Sequence, residues 1–320
     1  MISRRDFHRT LAAGALAGMT GSLFSSSPEL RADDSEKNIA KPSVPYIDMH
    51  THIGQYVSSE KNLPASGLIK WMDENYIEKA VVLPLVSPES TLFLQPPELV
   101  LAAANEFPDR LIPFCCYDPR HAKHVGNAAL INHLKRYKEL GAKGFGEHKV
   151  GLDFNDPLMM KVYAACEEVG LPVLFHLDTI RGKDKPGLPH LEEAIATFPD
   201  LTFIGHGPGW WASISGDVET LGGYPTGDVA PGGAIDRLME KYPNIYGDLS
   251  AGSGNNAIAR DMEFGREFLI RRQDRICFGS DYLAPGQVVP QFETLQNMDL
   301  PLDVQEKIFR GNTIKVLDLS

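Results

Sequence analysis

The chain has little of what nucleic-acid binding or self-cross-linking requires. Its 31 lysines and arginines are outnumbered by 42 aspartates and glutamates, giving a formal charge of -11 and a pI near 5.4. Phosphate backbones need a concentrated basic surface, and none is visible in the sequence, which argues against nucleic acid as the main partner. The four cysteines, Cys115, Cys116, Cys166 and Cys277, lack CxxC or any other zinc-site spacing. Each falls inside an expected strand or helix, and they read as buried thiols, not as a disulfide framework. Neither GxGxxG nor a P-loop pattern occurs, which removes the usual phosphate turns.

The N-terminus differs in kind from the rest. SRRDFHRTLAAGALAGMTGSLF places Arg4 and Arg5 ahead of a Gly/Ala-rich apolar run that is shorter than the roughly 20 residues of a membrane span. It resembles a twin-arginine export signal, which implies a periplasmic protein with no stable membrane anchor after cleavage. The expected organisation is a signal peptide over 1–32, a polar linker over 33–43 and a folded domain over 44–320. The cleavage position near Ala32 is open, because Leu30 is large for its place. A basic N-terminus on a cytosolic protein is the competing reading.

From Val44 onward, short β-branched and apolar runs alternate with longer helical patterns. VPYIDMH, KAVVLPL, RLIPFCCY, AKGFGEH, LPVLFH, LTFIGH, NIYGDLS and RICFGSD read as eight strands. Between them lie stretches such as PLMMKVYAACEEVG, with Pro157 at its first turn and Gly170 just past its last. Strand and helix pairs in this number predict an α/β fold, a (β/α)8 TIM barrel, with a doubly wound open sheet as the alternative. In such a barrel the chemistry sits where the strands end. Strand one ends in His50 and continues to His52; strand four ends in Glu147, followed by His148 and Lys149; strands five, six and eight end in His176, His206 and Asp281. Singly, each has a bland reading as a core histidine, a turn residue or a helix cap. Jointly they place imidazoles and carboxylates, the ligand types zinc prefers, at five strand ends.

With DMHTH, LPVLFH, FIGHGPG and CFGSDY in this order, the sequence resembles the amidohydrolase superfamily, and within it the amidohydrolase-related branch. The resemblance runs from Val44 to about Leu317, where GNTIKVLDL looks like that branch's closing helix. It implies a divalent metal, zinc first, as one ion or two, held by His50, His52, His176 and Asp281. Asp281 would also shuttle a proton to and from a metal-activated water, and His206 would polarise a substrate carbonyl. Glu147 would bridge two metals; an ion pair with Lys149 at the barrel rim is the other reading. Asp48 is expected to orient a ligand imidazole from behind.

Trp210 and Trp211 in GHGPGWWASISGD are expected either to wall a ring-shaped substrate or to pack the loop. Lys149, Arg181 and Lys183 are candidate contacts for a substrate carboxylate. The implied activity is hydrolysis of an amide, lactone or ester-like bond in a small molecule. Nonoxidative decarboxylation of a small unsaturated or aromatic acid on the same scaffold is the second reading, and a noncatalytic metal-binding protein the third. The sequence leaves assembly as a homo-oligomer open.

Overall fold

The computed structural model describes residues 41–56, 61–121 and 123–319, all within one compact unit. The twin-arginine segment and residues 33–40 of the linker lie outside the described residues. All eight expected strands form: β1 (Tyr46–Thr51), β2 (Ile77–Val82), β3 (Leu111–Pro113), β4 (Phe145–His148), β5 (Val173–His176), β6 (Phe203–His206), β7 (Ile245–Asp248) and β8 (Ile276–Cys277). They pair in parallel, β1 to β2 to β3 and β4 through to β8.

Two parallel bridges, Cys115 with Phe145 and Thr51 with Tyr282, join these two runs and close the ring. Across the second seam Met49 N donates to Phe278 O at 2.9 Å and Asp281 N to His50 O at 2.8 Å. A doubly wound sheet would leave two open edges. The protein is a (β/α)8 barrel.

The helices follow from ordinary signals. In Pro157–Val169, Asp156 caps the start by accepting from Leu158 N at 2.8 Å, and Gly170 ends it at φ 69°, a left-handed turn that glycine enters without a Cβ penalty. Two helices escaped the sequence pattern. Pro208–Ala212 forms where a loop was expected, and Ala251–Ala259 forms from AGSGNNAIA, whose glycines and asparagines have poor helix propensity. Packing decides the second: Gly254 lies so close to Leu249 that an added Cβ would come within 2.7 Å of its backbone. Among the described residues no helix is long and apolar enough to cross a membrane.

The barrel interior is layered. At the floor, Ile47, Met49, Val81, Leu83, Ile112, Phe114, Leu174 and Ile204 pack together with Leu317 from the C-terminal helix Asn312–Leu317. Each such burial contributes about 1.5–3 kcal/mol relative to exposure. The expected closing helix is therefore a plug under the barrel. Above this layer the interior turns polar.

Candidate metal centre

His50 and His52 reach the same point because they stand two residues apart at the end of β1, where alternate side chains share a face. Both rings are held from behind. His52 Nδ1 lies 2.9 Å from the Leu83 carbonyl, which can only accept, so this nitrogen carries the proton and Nε2 is bare. His50 Nδ1 lies 2.6 Å from Asp248 Oδ2, which leaves its Nε2 bare too.

The two bare nitrogens face each other at 3.1 Å. Asp281 Oδ1 stands 3.4 and 3.5 Å from them, and Glu147 Oε2 lies 3.5 Å from His52 Nε2 and 3.9 Å from His50 Nε2. Two imidazole nitrogens and two carboxylate oxygens thus converge on one largely enclosed space. That arrangement is repulsive unless a cation sits between them, and the donor types fit a divalent ion.

A second donor group adjoins the first. Glu147 Oε1 is 2.9 Å from His176 Nδ1 and 3.6 Å from His206 Nε2, and these three ligand atoms lie within 4.8 Å of one another. His176 is oriented by Asp178, 2.9 Å from its Nε2. His206 is oriented by Ser250, whose Oγ is 2.7 Å from its Nδ1. Ser250 Oγ donates to Asp248 Oδ2 at 2.8 Å, so its free lone pair takes the His206 proton and leaves Nε2 bare. Asp248 thus supports His50 directly and His206 through a hydroxyl, the outer-shell anchoring that metal-binding imidazoles characteristically have.

Electrostatics keeps the imidazoles in their binding form. Burial pushes His50 down to about 4 and His206 well below its ordinary value, so both are neutral at pH 7. Burial alone would raise Glu147, but the Lys149 ammonium and the other polar groups around the carboxylate outweigh it and hold the carboxyl well below the usual range. Lys149 Nζ is 3.1 Å from Glu147 Oε1, so the ion pair expected as the alternative is present within the centre. Asp281 sits at φ 54°, a left-handed conformation that aspartate tolerates better than most residues.

The structure thus brings His50, His52, Glu147, Lys149, His176, His206 and Asp281 together. Other expectations are corrected. Asp48 does not touch an imidazole: its Oδ1 accepts from the backbone N–H groups of His50 and Ser280 at 2.9 and 3.0 Å, pinning the β1–β8 seam. For Trp210 and Trp211, expected to wall a ring or to pack the loop, the structure shows packing: both are buried, Trp210 edge-on to Phe175 and Trp211 donating to the Asp248 carbonyl at 2.9 Å. Arg181 is engaged by Asp178, and Lys183 by Asp153 at 3.3 Å, so each already has a carboxylate of the chain's own. Asp178, Asp248 and Ser250 went unread. The signal was there in NIYGDLS and LFHLD, one ending β7 in aspartate and one placing an aspartate two residues past a histidine.

Residues 87–319 match the family model Amidohydro_2, described as Amidohydrolase. No curated protein matches the chain. Three solved structures resemble it. An uncharacterised TIM-barrel protein from Bordetella bronchiseptica aligns at TM-score 0.64 and 17% identity over 86% of this chain and 99% of that one. A probable 2-pyrone-4,6-dicarboxylic acid hydrolase from Acinetobacter baumannii, with citric acid bound, aligns at 0.56 and 13% over 86% and 100%. A 5-carboxyvanillate decarboxylase from Novosphingobium aromaticivorans, with manganese and a hydroxy-methoxy-nitrobenzoic acid, aligns at 0.57 and 17% over 87% and 97%. At these identities the likeness speaks for the barrel. The strand carrying His50, with His52 just past its end, precedes the segment that matches the family model, and the closed ring joins it to the rest. With six of its eight strands inside that segment, the chain belongs to the amidohydrolase family.

Proposed function

We propose that the protein is a metal-dependent hydrolase acting on an amide, lactone or ester-like bond of a small molecule. The observation that carries this reading is the asymmetry of exposure at the centre. The side chains of His50, His52 and Glu147 are at most 1% exposed, whereas that of Asp281 is 16% exposed. A carboxylate held against the metal-binding nitrogens yet open to solvent is placed to move protons.

A divalent ion held by His50, His52, Asp281 and Glu147 would act as a Lewis acid on a substrate carbonyl and make a water acidic near neutral pH. Imidazole and carboxylate donors suit zinc, and the same set accommodates manganese. Asp281 Oδ1 accepts the proton of the attacking water and returns it to the leaving group. His206 takes a role different from the one the resemblance implies. With its Nδ1 proton engaged by Ser250, its Nε2 accepts, so it orients the water instead of donating to the carbonyl oxygen.

Decarboxylation of a small aromatic acid is the second reading. It is supported by the decarboxylase named among the similar structures, which holds manganese and a substituted benzoic acid. Assays of metal-loaded protein against lactone, amide, ester and aromatic-acid panels separate the two by product. Ring opening or cleavage supports hydrolysis; carbon dioxide release supports the lyase. Full turnover by Asp281→Asn would sink both. Export through the twin-arginine route is proposed on Arg4, Arg5 and the apolar run that follows. Recovery of uncleaved protein solely in the cytosolic fraction would remove it.

A further inference from the structure

Between β6 and β7 the chain makes a long glycine-rich loop, 216–233, whose base is tied shut. Ala230 N donates to Ser215 Oγ at 2.8 Å, and Gly216 N donates to the Ala230 carbonyl at 2.9 Å. The loop lies against the ends of two strands. Gly222 stands so near Thr179, just past β5, that an added Cβ would come within 3.1 Å of its hydroxyl. Further along, Asn256 on the helix Ala251–Ala259 donates to the Pro225 carbonyl at 3.1 Å. The loop therefore bridges the β5 and β7 sides of the mouth, and the residue it sets down on the β7 side is Tyr224.

The Tyr224 ring lies over Gly252, where an added Cβ would meet both its Cε2 and its hydroxyl at 3.0 Å. Gly252 comes two residues after Ser250, whose Oγ is 2.7 Å from His206 Nδ1, so the phenol stands beside the support of the centre. It is 53% exposed, and its hydroxyl makes no hydrogen bond among the described residues. Partial burial and the Asp281 carboxylate, acting through space, both push the phenol above its ordinary value, so it keeps its proton and can donate. Other donors near the mouth are committed: Lys149 to Glu147 at 3.1 Å and Arg181 to Asp178 at 2.8 Å. A substrate oxygen not held by the ion would face the carboxylates of Asp281 and Glu147, and desolvating it there without a donor is costly. We infer that Tyr224 is a specificity residue, whose hydroxyl donates to a second oxygen of the substrate, apart from the bond being cleaved. A neutral acceptor, a carbonyl or a hydroxyl, suits this place better than a carboxylate, because Asp281 brings like charge to the same side.

The inference rests on the metal-dependent reading, and one experiment tests the two separately. The probe is benzohydroxamate, whose hydroxamate grips a divalent ion, with its acetyl-substituted ring isomers and the matching ethyl-substituted isomers, which keep the shape and lack the oxygen. Isothermal titration calorimetry on Zn2+-loaded wild type and Tyr224→Phe gives each Kd. In wild type at least one acetyl compound should bind roughly 3- to 10-fold tighter than its ethyl counterpart, the amount one neutral hydrogen bond supplies. Tyr224→Phe should abolish that difference and leave the ethyl compounds' Kd in place. Equal affinity of the two series in wild type overturns the inference, as does a preference that survives in Tyr224→Phe. So does an equal weakening of both series in the variant, the mark of a ring that only packs. Failure of benzohydroxamate itself to bind Zn2+-loaded wild type would instead overturn the metal-dependent reading beneath it.

Discussion

The same eight strands build two interiors that obey different rules. At the floor Ile47, Met49, Phe114, Leu174 and Leu317 are held by shape, and apolar side chains of similar volume are tolerated best there. At the mouth, a few residues further along each strand, His50, Glu147, His176 and His206 are held by hydrogen bonds from behind and face one another across a space that their lone pairs fill. Burial of the floor's apolar side chains is favourable. The mouth is a stack of unfavourable burials that a cation relieves. Stability and chemistry therefore occupy separate layers, and substitutions in one should leave the other measurably intact.

The largest effect is expected from Asp281→Asn. It removes the proton acceptor while preserving shape, so kcat should fall by roughly 10²–10⁴-fold, the usual contribution of general acid–base catalysis. Unfolding of the metal-free protein in urea should change little, since the substitution preserves shape. A large loss of stability alongside the loss of turnover would show that the two layers are not separate.

The opposite experiment is Leu317→Ala, which hollows the plug beneath the barrel. Truncating a buried leucine costs roughly 2–5 kcal/mol, read as a lower urea midpoint. Metal content at saturation should be unchanged. Loss of the ion in a folded Leu317→Ala protein would mean that the floor positions the mouth.

Chelation probes the mouth from the other side. An ion at a hundred times its dissociation constant stabilises the folded state by about 2.7 kcal/mol, so removing it with EDTA should lower Tm and adding it back should restore it. His50→Ala should abolish this response. Equal shifts in the variant and in wild type would place the binding elsewhere.

This contrast also explains how much could be read in advance. The mouth was legible because histidine is rare, with ten in the chain, and because DMHTH, LFH and IGH end strands whose apolar runs are plain. The closed barrel was legible from the repetition of strand and helix. The residues behind the imidazoles were not. Asp178, Asp248 and Ser250 are common residue types whose roles depend on which ring stands beside them, a fact of three dimensions. Asp48 misled for a related reason: alternation assigned it to the face of His50, but its carboxylate accepts from the backbone N–H groups of His50 and Ser280, which only the folded chain brings to it. Trp210 and Trp211 followed an expected loop that became the helix Pro208–Ala212, tucked against Gly205, where a Cβ would come within 2.4 Å of the Trp210 ring.

The smallest effect is expected outside both layers, where charge is neither buried nor converging. Glu192, on the helix Pro189–Thr197, accepts from Arg237 at 2.6 Å, Lys241 at 2.7 Å and Tyr242 at 3.1 Å, linking that helix to the segment Ala234–Tyr242. Partial burial raises its carboxyl, but the hydrogen bonds of Lys241, Arg237 and Tyr242 outweigh this and pull it down to about 2. A depressed acid stabilises the fold above its ordinary value near 4.5 and loses that contribution as pH falls toward 2. Glu192→Gln should therefore cost about 0.2–1 kcal/mol at pH 7, the range of exposed ion pairs, and less in high salt. The deficit against wild type should shrink below pH 4.5 and nearly vanish by pH 2, with metal content and turnover at neutral pH unaffected. A deficit that persists in acid would show that the pair works through packing, as the floor does, and not through charge.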